Sequence, residues 1–340
     1  MNAKTRLSHI DIARGMLIVM LVMLHTLWVI RQWYSIDNNT INVITQYCNM
    51  PIYSFLMNGF FVITGFCTNW NQDFSKFIKR SATTLLVPGI LFTVIMPIIL
   101  SQFNWQEMLK SIFLYGGSYW FLTALFLSKV LYWGIERWAN KFTTSTYKAW
   151  MFRTTAVLAL TVVGVQIFQN LHEHNYWYIC HTLTLTCSLA VGHALRYLDT
   201  RLTYLLAFPT FIVTLVFSYI FWNEPPIVTA QFNLTLSQIP VYWLLSSCGS
   251  ITIIGIAKAL VNFHILEIAG KHSLVIYLLH LSFLDVFVAA LKPSLHHQSS
   301  TLFSLSLYLM AVSTTCLCCV IIASILSHKP FCLILGKWNV

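Results

Sequence analysis

The sequence predicts an all-α, polytopic membrane protein, and three observations carry the prediction. Of its 340 residues 57% are hydrophobic and only 9% are charged, against about 25% charged in soluble domains. Mean hydropathy is +0.71, which excludes a disordered chain or a fibrous repeat. Apolar stretches of roughly 20 residues, the length a helix needs to cross a bilayer core of about 30 Å, recur along the whole chain. A soluble enzyme could not cover its surface with so few charges.

Ten windows meet the requirement: approximately 10–30, 50–68, 82–100, 112–134, 154–170, 177–195, 203–222, 239–261, 273–291 and 302–326. No segment between them is long enough for an extra soluble domain, so residues 1–340 are expected to form a single integral-membrane domain. The opening MNAKTRLSHI is not expected to be a signal peptide, because Asp11 and Arg14 interrupt its entry into the apolar run.

An even number of spans places both termini on one side. With that side cytoplasmic, the inner segments collect fourteen Lys and Arg, from Lys4 and Arg6 to Lys337, and the outer ones only Arg31, Lys110 and Lys292. Arg14, Lys129 and Lys258 lie in or near spans. This positive-inside asymmetry accounts for the net charge of +10 without a nucleic-acid partner. It points to a multi-pass protein of the inner (plasma) membrane. The nine cysteines lie mostly in apolar stretches and show no metal-ligand spacing. A disulfide between Cys48 and Cys180 is not expected. His172 and His174, like His296 and His297, sit in outer loops with no third ligand at useful spacing, so no metal site is expected.

An ionisable group inside the hydrocarbon costs roughly 2.5–3.5 kcal/mol on insertion scales, so each such residue marks a candidate site. The first span is the richest. Asp11 and Arg14 are three apart and share a helix face. His25 follows Arg14 by eleven residues, almost three whole turns and about 16 Å of rise. One face thus presents a guanidinium near the inner mouth and an imidazole deep in the membrane. That suits a long substrate with an anionic end at Arg14 and a reacting end at His25. The bland alternative is a boundary ion pair and a histidine bonded to a neighbouring helix. A second polar set, Tyr277 and His280, lies three residues apart in the ninth span, with Asp285 deeper. A third, Lys76, Lys79 and Arg80, precedes the third span; it is either a phosphate grip or an ordinary positive-inside loop.

Taken together, these residues resemble the membrane-bound acyltransferase-3 family. Asp11-Ile-Ala-Arg14-Gly15, with ten residues between Arg14 and His25, is similar to that family's opening signature. Gly59-Phe-Phe-Val-Ile-Thr64-Gly65-Phe66 resembles its second-span stretch, with Thr64 in place of the usual Ser. Phe77-Ile-Lys79-Arg80 through Leu85-Leu86-Val87-Pro88 looks like its basic loop, except that Thr84 stands where a further basic residue is common. Ser118-Tyr-Trp120-Phe121-Leu122 and Gly270-Lys-His-Ser273-Leu-Val-Ile-Tyr277-Leu-Leu-His280 complete the set. Residues 140 to 262 carry no matching motif.

The resemblance implies transfer of an acyl group, most commonly acetyl, from acyl-CoA to a hydroxyl of a cell-surface polysaccharide or its lipid-linked sugar precursor. It implies no permanently bound cofactor: acetyl-CoA is a substrate. Joined to the first-span geometry, it gives His25 the role of general base or of acyl carrier, Asp11 that of orienting Arg14, and Arg14, Lys79 and Arg80 that of holding the donor's phosphates. Trp120, Tyr277 and His280 fall to the acceptor side or the oxyanion. The rival class, a transporter or flippase of a lipid-linked glycan without acyl transfer, also needs many spans and buried ionisable groups. It lacks here the matched Gly/Pro interruptions of two repeated halves. Oligomeric state is not legible.

Overall fold

Backbone amides have no water to bond inside a bilayer, so a chain this apolar must satisfy them within helices. The computed structural model describes residues 7–33, 39–100, 103–171, 175–198, 200–223, 226–229, 232–260, 262–296 and 301–336. Lys4, Arg6, His172, His174, His297 and Lys337 lie outside these, as do the side chains of Cys48 and His296. The helices are α1 (Ser8–Trp28), α2 (Asn39–Tyr53), α3 (Leu56–Cys67), α4 (Phe74–Ser81), α5 (Val87–Ile99), α6 (Trp105–Tyr115), α7 (Trp120–Phe142) and α8 (Thr146–Leu171). They continue as α9 (Ile179–Leu195), α10 (Thr200–Leu205), α11 (Ala207–Ile220), α12 (Ile239–Ala259), α13 (His264–Lys271), α14 (Ser273–His296) and α15 (Thr301–Leu326). Five-residue π-helical stretches extend α1 (Val29–Trp33) and join α4 to α5 (Ala82–Leu86). Among the described residues the only strands are the two-residue pair Ile227–Val228 and Phe232–Asn233.

The all-α, polytopic class therefore holds. All ten apolar windows fall on helices, and eight of these helical stretches are long and apolar enough to cross a membrane. The windows at 177–195 and 203–222 fall on helices of 17 and 14 residues, α9 and α11. The window expected to be shortest, 154–170, lies on the 26-residue α8. The window at 82–100 gains a polar forecourt: α4 is set by Asp73, whose Oδ2 accepts from the Ser75 amide at 3.1 Å.

The chain folds into two compact units, each built from separate segments. The first gathers residues 1–56, 199–222 and 248–325; the second gathers 57–198, 223–247 and 326–340. In the first, α1 lies against α13 and α14. Two glycines make this closeness achievable: a Cβ on Gly15 would overlap the Leu266 carbonyl, and one on Gly270 would overlap the Asp11 carbonyl. The helices therefore meet backbone to backbone. Tyr308 on α15 donates to the Met23 carbonyl at 3.1 Å, fixing the upper half of α1 as well. In the second unit, α7, α8 and α9 pack on one another. Asn58 on α3 accepts from Ser188 on α9 and from Tyr242 on α12, each at 2.7 Å.

Candidate active site

In the first unit α1 is unbroken from Ser8 to Trp28, so the sequence arithmetic stands: eleven residues, about 16 Å, from Arg14 to His25 along one face. At its start, Asp11 and Arg14 form an ion pair of 3.7 Å, with the Asp11 side chain 3% and the Arg14 side chain 32% exposed. The carboxylate is sealed and the guanidinium is open on part of its surface. That is the disposition of a held cation with free donors.

At the far end, the structure joins two residues 255 apart in sequence. His25 Nδ1 and His280 Nε2 lie 2.6 Å apart. The rings are nearly parallel, with centroids 4.8 Å apart and planes within 10°. His280 is buried at 2% exposure, whereas His25 is only half-buried. The other nitrogen of His280, Nδ1, faces the carbonyls of Ile276 at 3.0 Å and Tyr277 at 2.8 Å. Carbonyl oxygens only accept, so that Nδ1 carries a hydrogen. For two uncharged rings one arrangement is left: His280 Nε2 bears a lone pair, His25 Nδ1–H donates to it, and His25 Nε2 bears a lone pair of its own. The half-buried ring is thus the one with a basic nitrogen to offer. Tyr277, half-buried, has its ring centroid 6.1 Å from that of His280.

The remaining predicted residues belong to the second unit. Lys79 and Arg80 are exposed on the last turn of α4. Trp120 opens α7, with its ring centroid 5.0 Å from His181 and 6.3 Å from Tyr178. His181 is buried, with Nε2 2.6 Å from the Thr229 carbonyl and Nδ1 2.7 Å from Asn175 Nδ2. Trp177 and Tyr178 beside it hold left-handed backbone at φ 51° and 52°, conformations that cost of order 1–3 kcal/mol each in residues other than glycine. Cys180 is a free thiol.

A family profile described as an acyltransferase domain matches residues 7–323, nearly the whole chain. The chain belongs to the acyltransferase-3 family. No curated protein and no solved structure gives a match. Acyl transfer is therefore the general chemistry of this acyltransferase, and the matched region contains Asp11, Arg14, His25, Lys79, Arg80, Trp120, Tyr277 and His280.

Sequence reasoning missed two features of this acyltransferase. It assigned His280 to the acceptor side or the oxyanion and did not foresee that its ring lies against that of His25. It also passed over a buried cluster in the second unit, where Glu136 pairs with Arg153. Glu136 Oε1 accepts from Arg153 and from Asn140, both at 2.9 Å. Arg153 also donates to Asn140 Oδ1 at 2.8 Å and lies 4.6 Å from the Trp150 ring centroid. His193 Nδ1 lies 3.0 Å from the Tyr132 hydroxyl. A signal existed: Tyr132, Glu136 and Asn140 recur every fourth residue, on one face of α7.

Proposed function

We propose that this acyltransferase moves an acetyl group from acetyl-CoA to a hydroxyl of a cell-surface polysaccharide or its lipid-linked precursor, at the inner membrane. The observation that carries the reading is the imidazole pair. His280 is bonded on both nitrogens and sealed, while His25 keeps a lone pair on its accessible ring. His25 Nε2 takes the proton of the acceptor hydroxyl as the oxygen attacks the thioester carbonyl. The carbon–sulfur bond breaks as the tetrahedral adduct collapses, and the imidazolium returns its proton to the departing thiolate. General-base help of this kind is typically worth 10²–10⁴-fold.

Arg14, anchored by Asp11, holds the anionic end of the donor about three helical turns below. Lys79 and Arg80 keep the role that their residue type suggests, contacts to donor phosphates. Trp120 and Tyr277 are assigned to the acceptor, where aromatic rings stack on sugars.

The test is acetyl transfer from radiolabelled acetyl-CoA to surface glycan in membranes of matched protein content. His25→Ala and Arg14→Ala are each expected to abolish it while the protein inserts normally. Transfer at the parental rate by either variant overturns the mechanism. An intact protein that neither binds nor consumes acetyl-CoA points instead to the transporter class.

A further inference from the structure

In the first unit α2 and α11 pack on each other, and each buries a polar atom that no described residue satisfies. Thr210, Thr214 and Ser218 recur every fourth residue on α11 and share one face. The first two hydroxyls are engaged: Thr210 Oγ1 lies 2.9 Å from that of Thr252, and Thr214 donates to the Thr210 carbonyl at 2.8 Å. Ser218 is fully buried, and among the described residues its Oγ has no partner. The pattern repeats on α2. Thr45 donates to the Ile41 carbonyl at 2.7 Å, whereas Asn49 Oδ1, one turn on, is buried and unmatched among the described residues. Buried polar groups are nearly always hydrogen-bonded, so two left open on packed helices call for a guest.

An aromatic pair stands beside them. Tyr47 on α2 and Trp222, just past α11, have ring centroids 6.0 Å apart; Tyr47 is 63% exposed and Trp222 half-buried. Asn49 is two residues from Tyr47 and Ser218 four from Trp222, each within about 6 Å of rise along its chain. Aromatic rings are common at a membrane surface, but a belt of rings does not account for unmatched polar atoms next to it. The direction of α11 places all of this toward the His25 end of the unit. Its start meets α12, where Gly255 abuts Ala207. That helix ends at Ala259, and α13, which begins at His264, crosses α1 at Gly15, beside Arg14. Thus α11 rises away from the Arg14 end, and Ser218, eleven residues beyond Ala207, lies about 16 Å further along.

One guest hydroxyl answers both atoms: it donates to Asn49 Oδ1 and accepts from the Ser218 hydroxyl. A molecule that carries hydroxyls around a ring with an apolar face, the face an aromatic side chain covers, is a sugar. We propose that Asn49 and Ser218 form a hydroxyl-reading seat for a sugar ring of the acceptor, with Tyr47 and Trp222 against its face. This rests on the acceptor being a glycan, and it adds the residues of the first unit that select which sugar is accepted. A seat built to bond a substrate hydroxyl rejects the analogue that lacks it, because its own buried groups are then left unpaired.

Acetyl transfer is measured with the full-length protein in detergent, varying in turn acetyl-CoA and a surface polysaccharide freed of acetyl by mild alkali. Asn49→Leu and Ser218→Ala are each expected to raise the KM for polysaccharide about tenfold, the worth of one hydrogen bond in a desolvated seat. The KM for acetyl-CoA should move by less than about twofold, since no donor contact is lost. Ser218→Thr keeps a hydroxyl and should recover most of the loss. Tyr47→Ala, at an exposed side chain, should raise the same KM about threefold, so the outcome does not hang on a buried variant folding. An unchanged KM for polysaccharide in Asn49→Leu and Ser218→Ala overturns the proposal. So does an equal rise in both KM values, and so does a lowered Tm with both KM values kept, which assigns the two atoms to packing or to a buried water. A parent protein that transfers no acetyl to the polysaccharide overturns the proposed function, and the sugar seat with it.

Discussion

The first unit sets a half-buried imidazole against a buried one, the second buries a carboxylate with a guanidinium, and the two clusters are finished differently. Around Glu136 and Arg153 the bonds are mutual: Arg153 reaches Glu136 and Asn140, Asn140 returns to Glu136, Trp150 lies against the cation, and His193 lies 3.7 Å from Glu136 Oε2. Around His280 the bonds run in one direction. They start at the carbonyls of Ile276 and Tyr277, pass through His280, and stop at His25, which has a nitrogen left over. A mutual network in low dielectric is costly to break. A network with an open end on an accessible ring is a chemical one. Burial and polarity alone do not separate the two.

That contrast can be broken where the effect is largest. Removing one partner of a buried ion pair leaves the other uncompensated, at a cost of about 3–5 kcal/mol. Glu136→Gln and Arg153→Met should each lower the Tm in detergent by several degrees or more. In whatever protein survives, the KM for acetyl-CoA should be unchanged. A well-folded Arg153→Met protein without transfer activity would move the cluster from structure to chemistry.

His280 sharpens the other half. A partner that fixes the tautomer of a working histidine is worth about 10- to 100-fold. His280→Ala should therefore reduce kcat by that factor without raising the KM for acetyl-CoA, because no donor contact is lost. His280→Gln, whose amide oxygen can accept from His25 Nδ1–H, should recover much of the rate. A KM effect with constant kcat would instead return His280 to the acceptor.

The smallest effect concerns how the first unit is held. The hydrogen bond from Lys271 to Glu267, 2.6 Å, holds that carboxyl below the usual carboxylate range, with partial desolvation working against it. A carboxyl depressed in the folded state contributes stability above its unfolded value, and loses it as pH falls through the folded one. Glu267→Gln should lower the Tm slightly at neutral pH. The gap to the parent should close in acid, below the carboxylate range. A gap independent of pH would assign the effect to packing.

Much of the fold was legible because hydropathy is a one-dimensional signal. Eight windows needed only a run of apolar residues, and α1 could be read down to its Asp11–Arg14 pair and its His25 register. The two helices that came out shorter, α9 and α11, are apolar in composition, and composition does not say where a helix stops. Phe221 leaves helical geometry at φ −96° and ψ 25° with no glycine or proline at that position to announce it. Tertiary pairing was not legible. His280 could be singled out, but nothing within its own helix points to a ring 255 residues away. Arg153 was counted among inner-loop charges because the sequence shows sign and position, whereas only the fold shows that Glu136 meets it.

The two glycine crossings between α1 and α13 also limit movement. With carbonyls lying where methyl groups would otherwise stand, neither rod can slide or roll against the other without collision. The rise of about 16 Å from Arg14 to His25 is set within the one unbroken α1, and the two crossings hold that helix in place against α13.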